Sequence, residues 1–321
     1  MKSQAWSGNV FSPGSDKPPL LVAESLVKAD RCCAGDKTGL FLNLSGLVHT
    51  QNIRVVQMTI EEINEVSRLA CLQIRGGNDL AVHSADLPGL AGWVSCQPLR
   101  PSPRGGDLYY MSTCSQGVVA RVVVADVAGH GEAVGAAADR LGDALRHHAE
   151  HWDQTMLIQH LNDTFLADAQ RTQFATAFLA SYYAESGELL FTNAGHVPPL
   201  WYRRADEEWD FLHEATPQTK EIVDLPLGMI AGTTYSQTAV QLEPGDLLLL
   251  YTDGISEARD ESGAQLGFDR LLSIARNLPV DSAVAAGQAL IAATAQFRGT
   301  VPPADDQTVV ALQRRVHGAA R

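Results

Sequence analysis

Cysteine, positive charge and long apolar runs are all scarce in this chain. The 5 cysteines, Cys32, Cys33, Cys71, Cys96 and Cys114, are odd in number and show no C-x-x-C spacing. That argues against a disulfide framework and reads as reduced thiols in a cytoplasmic protein. Lys and Arg number 24 against 37 Asp and Glu, a net charge of −13. An acidic chain of this kind disfavours nucleic acid or an anionic membrane as its main partner. No apolar run approaches the roughly 20 residues of a membrane-spanning helix. The opening stretch, MKSQAWSGNVFSPGSDKPP, lacks the apolar core of a signal peptide. Membrane insertion is therefore not expected.

What is present divides into three parts. Residues 1–19, rich in Ser, Gly and Pro, read as a flexible arm. Residues 20–86 read as a small regulatory or linker segment. Within it Thr59-Ile-Glu-Glu62 has the form of a capping box, and Ile60, Ile63, Val66, Leu69, Ala70 and Ile74 make a helical apolar stripe. The spacing predicts a helix over about 59–74, stopped by Gly76-Gly77-Asn78. That stripe either packs on its own domain or pairs weakly with a second copy of the chain. Residues 87–321 read as the main domain, with strands near 93–99, 107–112, 118–126, 174–183, 188–193, 200–203, 238–242, 246–251 and 308–313. Helices are predicted over 132–151, 154–169, 267–278 and 281–297. Strands and helices segregate instead of alternating, the pattern of packed sheets with helices outside.

The chemistry concentrates at strand ends. In VVVADVAGHG, an apolar strand ends at Asp126, and Gly129 and Gly131 break the chain before a helix whose face carries Val134, Ala137, Leu141 and Leu145. A carboxylate beside a Gly-rich turn and a helix N-terminus suits a metal ion and a phosphate together. It also suits a plain junction whose Asp caps the helix. Three further acidic sites share the setting. Asp107 follows Gly105-Gly106, Asp253 precedes Gly254 after the run Leu247 to Tyr251, and Asp305-Asp306 precedes the last strand. A set of carboxylates without a cluster of His or Cys points to an all-oxygen site, which favours Mg²⁺ or Mn²⁺. Packing such charges together without cations is costly.

GGDLYY, DVAGHG, FATAFLASYY, FTNAGHVPPLWYR, LPLG, LEPGDLLLLYTDGISEAR and DDQT occur in this order. Over about residues 87–314 the chain resembles the SpoIIE/RsbU-type branch of the PPM, or protein phosphatase 2C-like, metal-dependent serine/threonine phosphatases. The resemblance implies an α+β fold, an α-β-β-α sandwich of two antiparallel sheets flanked by helices. It implies a centre of two divalent ions, Mn²⁺ or Mg²⁺, at one edge. Asp126 then corresponds to the carboxylate bridging both ions, and the Val127 carbonyl to the ligand beside it. Asp253 and Asp305 correspond to further ligands of one ion, and Asp107 to an acidic group near the other. Asp306 stands one layer back. Tyr110 occupies a place where relatives often carry a second carboxylate, and only Arg104 lies near the place of a phosphate-binding arginine.

Such a centre activates a water for in-line attack on phosphorus, with no covalent phosphoenzyme. His130 either protonates the leaving oxygen or orders the Gly loop; His196 reads as a brace at the sheet edge. The implied activity is hydrolysis of phosphoserine or phosphothreonine on a regulatory protein such as an anti-sigma-factor antagonist. The alternative is a pseudo-phosphatase that binds a phosphoprotein without turnover. A nucleotide phosphodiesterase is the weaker reading, since no basic pocket or cluster of base-stacking aromatics is evident.

Overall fold

The computed structural model describes residues 66–68, 74–113, 117–129, 132–148, 153–167, 173–213 and 224–316. All of them belong to one of the two units into which the chain divides, Val56–Arg321; the other, Met1–Val55, lies outside the described residues. In chain order the elements are β1 (Val66–Arg68), β2 (Ile74–Asp79), β3 (Ala81–Leu87), β4 (Leu90–Gln97), β5 (Arg104–Thr113) and β6 (Val119–Val127). Then come α1 (Glu132–His147), α2 (Gln154–Leu166), β7 (Ala175–Tyr183), β8 (Glu188–Ala194), β9 (Leu200–Arg203) and β10 (Glu208–Phe211). The chain continues through β11 (Thr238–Gln241), β12 (Leu247–Tyr251), α3 (Asp253–Ser256), α4 (Gly267–Ala275), α5 (Ala283–Arg298) and β13 (Gln307–Arg314).

The strands form two sheets. One has 7 strands in the order β1-β3-β4-β13-β12-β9-β10, the other 6 in the order β11-β8-β7-β6-β5-β2. Every pairing of named strands is antiparallel except β1 with β3 at the sheet edge. The apolar runs that marked the central strands are buried on both faces. In β6, Val122 and Val124 enter the core between the sheets, while Val123 and Ala125 pack with Leu141, Leu145 and Leu157 of α1 and α2. In β12, Leu248 and Leu250 face inward, and Leu247, Leu249 and Tyr251 pack outward with Leu271, Ala286 and Leu290 of α4 and α5. Period-2 alternation between two apolar environments explains why these strands read as continuous hydrophobic runs. The result is the expected four-layer α-β-β-α sandwich.

Local chemistry starts the helices. Asp153 caps α2 by accepting from Thr155 N at 2.9 Å and Met156 N at 3.2 Å, and Ser282 caps α5 by accepting from Ala285 N at 3.1 Å. Helix α5 lies tight on its sheet because residue 287 is glycine. A Cβ there would stand 2.3 Å from Cε3 of Trp93, itself 2% exposed.

The helix expected over 59–74 is not formed where the chain is described. Residues Val66–Arg68 are a strand running parallel to β3, with Val66 opposite Ser84, and Ile74 opens β2. An open sheet edge offers unpaired backbone donors and acceptors, and pairing with it overrides a 3.6-residue apolar period. The capping box at Thr59 and most of the stripe, Ile60, Ile63, Leu69 and Ala70, lie outside the described residues. Gly76-Gly77-Asn78 is likewise no helix stop. Gly76 sits in β2, where a Cβ would meet the Tyr109 carbonyl oxygen at 2.5 Å. Strands β2 and β3 thus place residues 74–86, expected as linker, inside the two sheets.

Gly287→Val should therefore destabilise the protein. Valine recovers part of glycine's helix penalty, but forcing carbons against a buried ring costs about 1–3 kcal/mol. Urea unfolding followed by far-UV circular dichroism should show a lowered midpoint; an unchanged midpoint contradicts the close α5–Trp93 packing.

Candidate metal centre

Asp107 and Asp126 are paired directly across the β5–β6 ladder. Side-chain alternation puts both on the face between the sheets, since Tyr109 of β5 and Val124 of β6 lie in the inter-sheet core. Two glycines clear the ground beside them. A Cβ at Gly106 would lie 2.7 Å from the Val127 carbonyl oxygen and 3.7 Å from Asp126 Oδ1. A Cβ at Gly105 would enter the Asp306 carboxylate, at 2.3 Å. The Gly-Gly-Asp motif is thus a backbone that only glycine allows this close to two acidic groups.

The opposite sheet supplies the other carboxylates. Strands β12 and β13 are neighbours, with Tyr251 opposite Val309. Asp253 follows the end of β12 and opens α3; Asp305 and Asp306 precede β13. Gly254 lets the two ends meet, because a Cβ there would fall 1.9 Å from the Asp306 carbonyl oxygen. Gln307 tightens the same junction, its Nε2 donating to the Gly254 carbonyl at 2.8 Å.

Asp306 is committed to backbone donors. Its Oδ1 accepts from Leu99 N at 2.5 Å, and its Oδ2 accepts from Gly106 N at 2.6 Å. It joins the start of β13 to the start of β5. Asp305 is exposed, and its Oδ1 accepts from Asp306 N at 2.8 Å. Asp107 Oδ2 accepts from the Thr252 hydroxyl at 2.6 Å.

Repulsion and burial dominate the electrostatics. Asp107, 2% exposed, holds its proton well above the usual carboxylate range, first through burial and then through the charge of Asp126. Asp126 is pushed up to about 7 by burial and by Asp253, Asp305 and Asp306. Asp253 rises to about 6 through burial and the charge of Asp305. Carboxylates from four strand ends and both sheets therefore feel one another at one edge of the sandwich.

The remaining sequence candidates fall as follows. His130 lies outside the described residues. His196 is buried, with Nδ1 2.8 Å from the Thr176 hydroxyl and Nε2 3.1 Å from the Tyr251 carbonyl. A carbonyl only accepts, so Nε2 carries the proton and Nδ1 accepts from Thr176. Burial lowers this imidazole to about 4, and the neutral ring ties the two sheets together next to Asp126, whose ladder partner is Thr176. Arg104 pairs with Asp139 of α1 at 2.7 Å on the surface. Tyr110 is fully buried against α1 and α2 and faces away from Asp107. Tyrosine at this position takes no oxygen from the edge that Asp107 faces. Sequence reading missed Thr252, whose only signal was its place beside Asp253. It also missed Asn78, whose amide donates to the Gly105 carbonyl at 3.2 Å and the Gly135 carbonyl at 2.9 Å.

Beside the carboxylates opens a cavity of about 700 Å³ lined by Leu99, Arg100, Pro101, Arg104, Asp305 and Asp306 among others. The donor set beside it fits a hard divalent cation: it is all oxygen, partly buried, and short of countercharge. Among the described residues no group of three or more Asp, Glu, His or Cys side chains closes into a ready cage for one ion. An ion here would complete its shell with water, as magnesium commonly does.

The family model described as Stage II sporulation protein E (SpoIIE) matches residues 117–315. The chain belongs to the SpoIIE family. It is similar to the phosphoserine phosphatase RsbU of Bacillus subtilis (strain 168), 27% identical over 161 residues, covering 49% of this chain and 44% of that protein. It spans less than half the length of the curated relatives it matches. Its fold is similar to the PP2C phosphatase domain with a fragment of the regulatory domain of SpoIIE from Bacillus subtilis. That match has a TM-score of 0.57 and 18% identity, over 75% of this chain and 63% of that one. It is similar also to RsbX in complex with magnesium, with a TM-score of 0.52 and 15% identity, over 73% of this chain and 99% of that one.

The raised carboxylates carry a stability consequence. Folded Asp126 and Asp253 sit near 7 and 6, above an ordinary value of 3.8. Between those limits the folded metal-free protein binds more protons than the unfolded chain. Their contribution to stability is thus full at acid pH and is lost as pH rises through 6 and 7. Asp126→Asn should raise the urea midpoint of chelator-treated protein at pH 8 and leave it nearly unchanged at pH 4.5. A midpoint lowered at pH 8 contradicts the repulsion.

Proposed function

We propose that this protein is a metal-dependent serine/threonine phosphatase. It acts in the cytoplasm on phosphoserine or phosphothreonine of a regulatory protein of the anti-sigma-factor-antagonist kind. The observation that carries the reading is the meeting of Asp107, Asp126, Asp253 and Asp305 at one sandwich edge, with the proton affinities of Asp107, Asp126 and Asp253 raised by burial and then by neighbouring carboxylate charge. Among the described residues no helix is long and apolar enough to cross a membrane.

The placement of the carboxylates supports the roles that the family resemblance implies. Asp126, between the Asp107 side and the Asp253–Asp305 side, is suited to share two ions, with the Val127 carbonyl beside it. Asp253 and Asp305 would complete the ligands of one ion, and Asp107 would hold the second through water. Asp306 keeps the strand ends in place through its backbone bonds. Mn²⁺ or Mg²⁺, when bound, lowers the pKa of a water and neutralises the phosphoryl oxygens. The cavity lined by Arg100 and Arg104 offers room for the residues flanking the phosphoserine and cations for its charge. His130, four residues after Asp126 in the sequence, would protonate the leaving serine oxygen.

The placement of Tyr110 away from the edge supports turnover over a pseudo-phosphatase. Hydrolysis of para-nitrophenyl phosphate and of a phosphoserine peptide tests the reading. Chelation should abolish both and added Mn²⁺ or Mg²⁺ restore them, while Asp253→Asn should lower the rate by roughly 100-fold or more. Full activity after exhaustive chelation contradicts it. His130→Ala should cost more on the peptide than on the nitrophenyl ester, whose leaving group needs little protonation. Equal losses would make His130 a loop residue only.

A further inference from the structure

Thr252 is completely buried at the end of β12, next to Asp253. Its backbone N–H donates to the Thr308 carbonyl at 3.1 Å, and its Oγ1 accepts from Thr308 N at 3.0 Å. The side chain is thus pinned to β13 in one rotamer. An amide N–H only donates, so the hydroxyl proton cannot be used toward Thr308. It points at Asp107 Oδ2, 2.6 Å away and in the other sheet. With Asp107 ionised the hydroxyl is the donor of this short bond, which crosses from one sheet to the other among the strand ends that carry the carboxylates.

We infer that Thr252 is a positioning residue for the metal centre: its hydroxyl is a strut that fixes Asp107 of one sheet relative to Asp253 of the other. This rests on the metal-dependent reading above. Asp107 has a strong reason to move, since Asp126 stands directly opposite in the ladder. A hydrogen bond from a group locked to β13 holds its carboxylate against that repulsion. Asp253 is the next residue along the same pinned backbone, so one hydroxyl sets the spacing of two carboxylates drawn from different sheets. Partners of this kind, which orient a metal's ligands without touching the metal, typically change affinity about 10–100-fold when lost.

Thr252→Val keeps the shape and removes the hydroxyl; Thr252→Ser keeps the hydroxyl and removes a methyl. Calorimetric titration of Mn²⁺ into the chelator-stripped full chain, beside urea unfolding of the metal-free forms, separates positioning from packing. Thr252→Val should bind Mn²⁺ about 10–100-fold more weakly while still folded. Thr252→Ser should stay within a few-fold of the wild type even if its metal-free stability drops. Equal affinity in Thr252→Val and the wild type overturns the strut, and so does a loss in Thr252→Ser as large as that in Thr252→Val. If Thr252→Val does not fold, Thr252→Ala makes the same comparison. If that fails too, weakened binding by folded Thr252→Ser is the contradicting result. A wild type that takes up no Mn²⁺ overturns the metal reading itself, and is told apart because it appears before any variant is compared.

Discussion

Repulsion among carboxylates that water screens poorly is the constraint on which this structure turns. Asp107 and Asp126 face each other across one ladder, and Asp253 and Asp305 approach from the ends of two strands in the opposite sheet. Burial and these charges together push Asp126 to about 7. A fold that brings such groups together needs strong forces elsewhere to keep them there. The three-part apolar core supplies them: one layer between the sheets and one beneath each pair of helices. Central strands apolar on both faces fix where each strand ends, and the acidic residues sit at those ends.

Close approach of backbone does the rest. Gly105, Gly106 and Gly254 each stand where a Cβ would collide with Asp306 or the Val127 carbonyl. Around them a few polar side chains stitch the edge: Asp306 binds the amides of Leu99 and Gly106, His196 joins Thr176 to Tyr251, and Thr252 reaches Asp107. All of these but the Asp306–Leu99 bond, which joins β13 to β4 within one sheet, link one sheet to the other. These links hold the backbone of the edge in place, while the carboxylates themselves do not close into a ready cage among the described residues.

Much of this was legible in the sequence because it was written in hydrophobic periodicity. VVVA and LLLLY announced strands buried on both sides, and the stripe of Val134, Ala137, Leu141 and Leu145 announced α1. The acidic residues at the edges of those runs pointed to the site. Other parts were not written locally. Residues Val66–Arg68 became a strand because β3 offered an open edge, a fact about distant chain that a helical stripe could not reveal. Strand β3, AVHSADL, is too polar for its run to stand out, yet it pairs along its whole length with β4. Thr252 matters through partners 56 and 145 residues away in sequence, and Asn78 through partners 27 and 57 residues away. Contacts of that range carry no local signature.

The most direct measurement of the central claim is anomalous scattering from a crystal soaked in Mn²⁺. The account predicts two peaks at the sandwich edge between the ends of β5 and β6 and the ends of β12 and β13, with Asp126 in reach of both and Asp306 in reach of neither. No peak at that edge, or peaks bound only elsewhere on this acidic surface, would contradict it.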